Sequence, residues 1–176
     1  MEYIDVLDEN GNPTGEQKTK SQIHIDGDWH RASHVWVVND NQVLLQRRAK
    51  DIDSSPDMYD ISAAGHVSAG ETALKTALRE TQEELGIDLS EDDLIHIGTV
   101  KQQAVKNDGT YINNEHNDIY IIKKDISIDD ISVQKEEVQY VKWIDIKELK
   151  KWVKERKEDL VDHTAEYKVL FEYLGN

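Results

Sequence analysis

Residues 65–87 read GHVSAGETALKTALRETQEELGI and constrain this chain more than any other stretch. From Glu71 to Leu85 the pattern is helical: Leu74, Leu78, Thr81 and Leu85 follow a 4-3-4 spacing and mark the buried stripe. Gly86 stands where such a helix ends and serves as its C-cap. On that helix Glu80, Glu83 and Glu84 fall at i, i+3 and i+4, so their carboxylates share one face, expected apart from the stripe. Like charges at these spacings weaken an isolated helix by roughly tenths of a kcal/mol per pair, and a bound cation relieves them. A cluster of hard oxygen ligands suits Mg²⁺ or Mn²⁺. A solvated acidic face accounts for the glutamates, but not for Gly65, Arg79 and Gly86 at fixed intervals beside them.

Composition narrows what surrounds that helix. A chain of 176 residues suits one domain with one buried core, so 1–176 is expected to be a single unit. Its parts are an N-terminal strand and turn extension over 1–30 and C-terminal helices over 146–176. Charged residues make up 32% and the formal charge is −15, which argues against a nucleic-acid polymer or an anionic membrane as partner. A small polyphosphate is still compatible, provided metal ions and a few basic side chains converge in one cleft. The absence of cysteine excludes disulfides, zinc–thiolate sites and thiol catalysis, and fits a reducing interior; a cytoplasmic location is expected. No apolar run approaches the ~18–20 residues that span a bilayer.

Before the helix, EYIDVLDENGNPTG reads as a short strand entering a turn. HVWVVND and NQVLLQRR, over 34–48, read as a hairpin closed by an Asn/Asp turn. Tyr59 to Ser62 form a short strand feeding an Ala-Ala-Gly loop. Beyond the helix, strands are expected over 94–101, 118–123 and 138–145, the first two separated by the polar loop NDGTYINNEHN. Asp145 caps a helix over about 147–157, and a second follows over 163–174. Strands and helices are interspersed, yet the hairpins preclude a purely parallel sheet. The expected class is α/β, with a mixed, partly antiparallel sheet between helices.

The 65–87 stretch resembles the signature of the Nudix hydrolases, G-x5-E-x7-R-E-U-x-E-E-x-G-U with U a bulky apolar residue. Gly65, Glu71, Arg79, Glu80, Glu83, Glu84, Gly86 and Ile87 match; Thr81 departs at the first U position but can pack its methyl inward. The flanking segments HIDGDWHRASHVWVV, LLQRRAKD, YDISAAGH and GTYINNEHND are similar to the isopentenyl-diphosphate-isomerase-like branch of that superfamily. The resemblance implies a Nudix-type α/β/α sandwich and a Mg²⁺ or Mn²⁺ cofactor held by Glu80, Glu83, Glu84 and the carbonyl of Gly65. It implies that Glu71 and Arg79 brace the loop against the helix. It also places His24, His30, His66 and Glu115 where the isomerases bind a second metal, although the His24–His30 spacing departs from their pattern and Asn113 replaces a second glutamate. These histidines are candidates for that metal or for substrate phosphate. Arg48 is retained as a phosphate contact, whereas a phosphate-binding lysine of the isomerases is replaced by Ile52.

The isomerases carry a catalytic cysteine immediately before the Gly-His pair, and here that residue is Ala64. Allylic isomerisation needs an acid and a base on opposite faces of the carbon skeleton, and alanine supplies neither. The leading expectation is therefore metal-dependent hydrolysis of a diphosphate linkage, in a nucleoside diphosphate derivative or an isoprenoid diphosphate. Glu80 and Glu115 are the two candidates for the general base. An isomerase and a non-catalytic diphosphate sensor are the alternatives. Arg47 and Arg48 alternate on a strand, so one of them faces the cleft. His34, His96 and His163 are read as structural or surface groups, and Trp29, Trp36 and Trp143 as core. A homodimer is a family-level expectation.

Overall fold

The computed structural model describes residues 2–175. Its nine strands are β1 (Tyr3–Leu7), β2 (Pro13–Thr19), β3 (Trp29–Asn39), β4 (Gln42–Arg48), β5 (Tyr59–Asp60), β6 (Ala63–His66), β7 (Ile95–Lys106), β8 (Tyr111–Lys123) and β9 (Val138–Asp145). The α-helices are α1 (Lys20–Asp26), α2 (Ala73–Leu85), α3 (Ile146–Glu155) and α4 (Thr164–Tyr173). None of these helices is long and apolar enough to cross a membrane.

The sheet is built around β3. Its run HVWVV is buried on both faces, as a central strand requires. β3 pairs antiparallel with β1, β4 and β6 and parallel with β8, from Trp29↔Asn114 to Val38↔Lys123. β7 joins β8, and β9 joins β4. Strand alternation then sorts the apolar side chains into two layers. Trp36 and Val38 enter one core with Ile119, Ile121, Leu149, Tyr167 and Leu170, beneath α3 and α4. Val35 and Val37 enter the other with Ala77, Leu85, Ile87 and Tyr120, beneath α2. The result is the α/β/α sandwich with a mixed sheet.

Local chemistry fixes the helix ends. Thr72 Oγ1 accepts from the Lys75 N–H at 3.3 Å to open α2, and Gly86 closes it at φ +68°, a left-handed position that strains any side chain. Asp145 caps α3 as expected, accepting from Lys147 N at 2.8 Å.

Five expectations change. The Ala-Ala-Gly segment expected as a loop is strand β6, paired with β3. Residues 13–19 form the strand β2, and α1 follows it, so the N-terminal part holds more than a strand and a turn. The polar segment after residue 110 is not a loop: only residues 107–110 turn, and Tyr111 onward is strand β8. β7 runs on to Lys106 to meet it. Glu80 and Glu84 lie on the buried side of α2, whereas Leu74 and Leu78 are only partly covered; Ala73, Thr76 and Ala77 complete the contact instead.

Burial of charge ties α4 to the sheet. Glu166 accepts from Trp36 Nε1 and His34 Nδ1, each at 2.7 Å. Burial opposes charge on His34, but the adjacent Glu166 outweighs it and lifts the imidazole to about 9. A group whose pKa rises on folding stabilises fully below its unfolded value, about 6.5, and loses that contribution as pH climbs through its folded value. Stability is therefore expected to fall between about pH 6.5 and 9, by on the order of 3 kcal/mol from this pair. Urea denaturation across that range checks it: His34→Gln should flatten the slope, and an unchanged slope rejects the assignment.

Candidate active site

A cleft of about 930 Å³ opens on the sheet face shared with α4 and reaches the exposed edge of α2. Two groups of ligand-type side chains open into it, joined by the β6 sequence Ala64-Gly65-His66.

The first group comes from α2. Glu80 and Glu84 are buried and Glu83 is exposed. Glu80 packs against Gly65 so closely that a Cβ there would sit 2.0 Å from its Oε1, which is why residue 65 has no side chain. Gly65 is thus required by close approach rather than by backbone conformation. Arg79 reaches Glu80 at 2.7 Å, Glu83 at 3.1 Å and Glu71 at 3.3 Å, so it engages the helix carboxylates as well as Glu71. Glu71 in turn accepts from Thr76 Oγ1 at 2.8 Å. Glu84 Oε2 accepts from Gln46 Nε2 at 2.9 Å. Burial raises Glu80 to about 7 against the pull of Arg79, and it raises Glu84 well above the carboxylate range, with Glu80 and Glu137 adding repulsion.

The second group comes from α1, β3, β6 and β8. Ligand atoms of His24, His30, His66 and Glu115 all lie within 4.8 Å of one another. The parallel ladder sets His30 opposite Glu115, and β6 sets His66 opposite Ala32. His24 Nδ1 lies 2.6 Å from the Lys20 carbonyl and His30 Nδ1 lies 3.0 Å from that of Asp28, so both Nδ1 atoms donate to backbone. In the neutral rings the Nε2 lone pairs then face acceptors: Asn113 Oδ1 at 3.0 Å from His24, and Glu115 Oε1 at 3.5 Å from His30. His66 Nε2 is 3.4 Å from the same carboxylate, and neither His30 Nε2 nor His66 Nε2 has a hydrogen-bond partner although both are buried. Burial lowers His24 to about 4 and also lowers His66, which keeps these rings neutral. Backbone-anchored imidazoles directing lone pairs at a carboxylate form a metal-type donor set.

Of the two adjacent arginines, Arg48 lines the cleft, bonded to Asp60 at 3.0 Å, while Arg47 turns outward to Asp57 and Asp159. Of the histidines read as structural or surface groups, His34 and His163 are structural, buried and bordering the cleft, and His96 is exposed. His163 Nε2 bonds Asp60 at 2.7 Å, linking the start of α4 to Arg48. Trp36 is core, and Trp29 packs on His116 and Lys101. The residues that sequence reasoning missed are Gln46, Asp60, Lys106 and Glu137, all at the cleft. None belongs to a recognisable motif; only the fold brings them together.

A mixed sheet between helices, with a carboxylate-bearing helix at the rim of a polar cleft, defines the Nudix class of fold. Residues 28–164 match the model of the NUDIX domain, and the chain belongs to that family. It is 42% identical over 179 aligned residues to Nudix hydrolase 3 of Arabidopsis thaliana, covering 98% of this chain and 23% of that protein. The chain therefore spans about a quarter of that plant relative. An uncharacterised Nudix hydrolase of Clostridium acetobutylicum is 34% identical over 86% of this chain and 74% of its own length. An isopentenyl-diphosphate Delta-isomerase of Pectobacterium atrosepticum is 36% identical over 47% of this chain and 46% of its own, consistent with the isomerase-like branch. A crystal structure of a Deinococcus radiodurans protein superposes with a TM-score of 0.73 at 18% identity, covering 94% of this chain and 96% of that one.

The Gly65 contact yields a test. Gly65→Ala is expected to cost roughly 1–3 kcal/mol through overpacking against Glu80. The same change in a Glu80→Ala background should cost markedly less, because the clashing carboxylate is gone. Equal costs in the two backgrounds, measured by urea denaturation, would contradict the contact.

Proposed function

We propose that this protein is a metal-dependent hydrolase that cleaves a diphosphate linkage in a small molecule, a nucleoside diphosphate derivative or an isoprenoid diphosphate. The observation that carries the reading is that the α2 carboxylates and His24, His66 and Glu115 of the imidazole cluster line one cleft, together with Ala64. The residues fit divalent metal. Buried Nε2 atoms without partners, acceptors facing acceptors, and repelling buried carboxylates are all relieved by a cation. Glu80, Glu83 and Glu84, with the Gly65 carbonyl, would hold Mg²⁺ or Mn²⁺; His24, His30, His66 and Glu115, joined by Asn113, would hold a second ion. Bound there, such an ion neutralises phosphate charge and lowers the pKa of its water.

The chain's own groups divide the remaining work. Glu80 and Glu115 both line the cleft and are the two carboxylates placed to accept the proton of an attacking water. Glu115 also belongs to the imidazole cluster. Arg48 presents its guanidinium to substrate phosphate and is oriented by Asp60. Glu71 and Arg79 brace the helix carboxylates against the segment that leads from β6 into α2. Ala64 lines the cleft at the position where isomerisation would need a proton-transferring group, which favours hydrolysis over isomerisation.

Glu83 is exposed, so Glu83→Gln leaves the fold intact. Together with Glu84→Gln it is expected to reduce Mg²⁺-dependent phosphate release by about 10²-fold or more. Activity unaffected by both substitutions rejects the carboxylate assignment. Incubation with isopentenyl diphosphate separates the chemistries: a monophosphate product supports hydrolysis, and dimethylallyl diphosphate would establish isomerisation.

A further inference from the structure

Lys106 closes β7 at the end of the cleft, half buried, and its ammonium donates to Ser54 Oγ at 2.7 Å and Ser55 Oγ at 2.9 Å. It makes no ion pair among the described residues. Other cations of this acidic chain close on carboxylates: Lys18 on Asp26 and Asp28, Arg31 on Asp118, Arg47 on Asp57 and Asp159. Its only direct partners are neutral hydroxyls, and burial lowers its affinity for the proton by more than the charges of Asp60 and Glu115 raise it. Two of its three N–H donors are used, and the third is free for a ligand.

Its neighbour raises the cost further. Arg48 bonds the Ser54 carbonyl through Nε at 3.1 Å and Nη2 at 3.0 Å, so both cations grip the same loop. Arg48 repels Lys106 while Asp60, its own partner, attracts it, and both cations line the cleft that the α2 carboxylates also line. The adjoining turn is docked on the same loop by Asn107 Nδ2, which donates to the Asp53 carbonyl at 3.3 Å. Two facing cations, unused donors and two hydroxyls on a braced loop make a receptor for a tetrahedral oxyanion.

We propose that Lys106 and Arg48, with the hydroxyls of Ser54 and Ser55, form a subsite for a substrate phosphate group, the one adjoining the phosphate at the α2 carboxylates. The proposal rests on the reading of the cleft as a diphosphate site. It gives Lys106 a role in substrate selection: a diphosphate places one phosphate on each wall, while a monophosphate reaches one wall at a time.

The test is equilibrium binding of imidodiphosphate, a non-hydrolysable diphosphate, by titration calorimetry in the presence of Mg²⁺. Lys106→Gln is expected to weaken binding about tenfold or more, with Lys106→Arg intermediate. The surface control Lys101→Gln should bind as the unmodified protein does, and thermal melts without ligand should match for all variants. Equal affinity of the unmodified protein and Lys106→Gln overturns the subsite, as does failure of the unmodified protein to bind the probe. Lys106-dependent binding without turnover of any diphosphate would keep the subsite and reject the hydrolase reading. Turnover with a KM indifferent to Lys106→Gln would do the reverse.

Discussion

The parallel ladder between β3 and β8 is the constraint on which the rest of the molecule depends. Ten consecutive register pairs run from Trp29↔Asn114 to Val38↔Lys123. One end of the ladder is packed with Val, Ile and Trp and forms the two cores; the other end sets His30 beside Glu115 at the cleft. Because side chains alternate across a strand, a slip of one residue would send His30, His34 and Trp36 to the opposite face together. The apolar end thus fixes the register that the polar end uses. Burial of Val35, Trp36 and Val37, each fully enclosed, supplies the free energy that makes the slip unfavourable.

Charge in this protein is arranged against its own preference and then partly compensated. Glu80 and Glu84 are driven into the protein by the packing of α2, where burial disfavours their ionised forms. Arg79 offsets the cost for Glu80, while Glu84 relies on the amide of Gln46. Across the cleft, Lys106 faces the converse problem, burial lowering its affinity for the proton, beside Arg48 paired with Asp60. An acidic wall and a basic wall in one polar cleft are complementary to a metal–phosphate pair, in which the ion carries the positive charge and the ligand the negative.

The helix that bears the carboxylates was legible from its spacing, caps and glycines, and so were the central hairpin, β9 and α3. What the sequence concealed has a common physical cause. β8 is polar on both faces at its cleft end: Asn113, Glu115 and Asn117 are buried, while Asn114, His116 and Asp118 bond the Gly27 carbonyl, the Asp8 carbonyl and Arg31 on the other side. Such a segment shows no alternation, and its residue types are depleted in strands, so it imitates a loop. β2 is exposed along nearly its whole length and carries no hydrophobic pattern either. The burial of Glu80 and Glu84 was hidden for the opposite reason, because carboxylates are ordinarily placed in solvent. Lys106, Asp60, His163 and Glu137 acquire meaning only from partners far along the chain.

Those long separations bear on how the protein comes into being. Trp36 and His34 donate to Glu166 across 130 and 132 residues of sequence, and Asp60 meets His163 across 103. Closing such loops is slow, because the chain entropy is lost before the contacts form. During synthesis the first strands emerge long before α4 exists, leaving His34, Trp36 and Asp60 without the groups that later satisfy them. The floor of the cleft is therefore completed among the last events of folding, and a ribosome-bound chain lacking α4 would display a hydrophobic, half-satisfied sheet face of the kind that chaperones recognise.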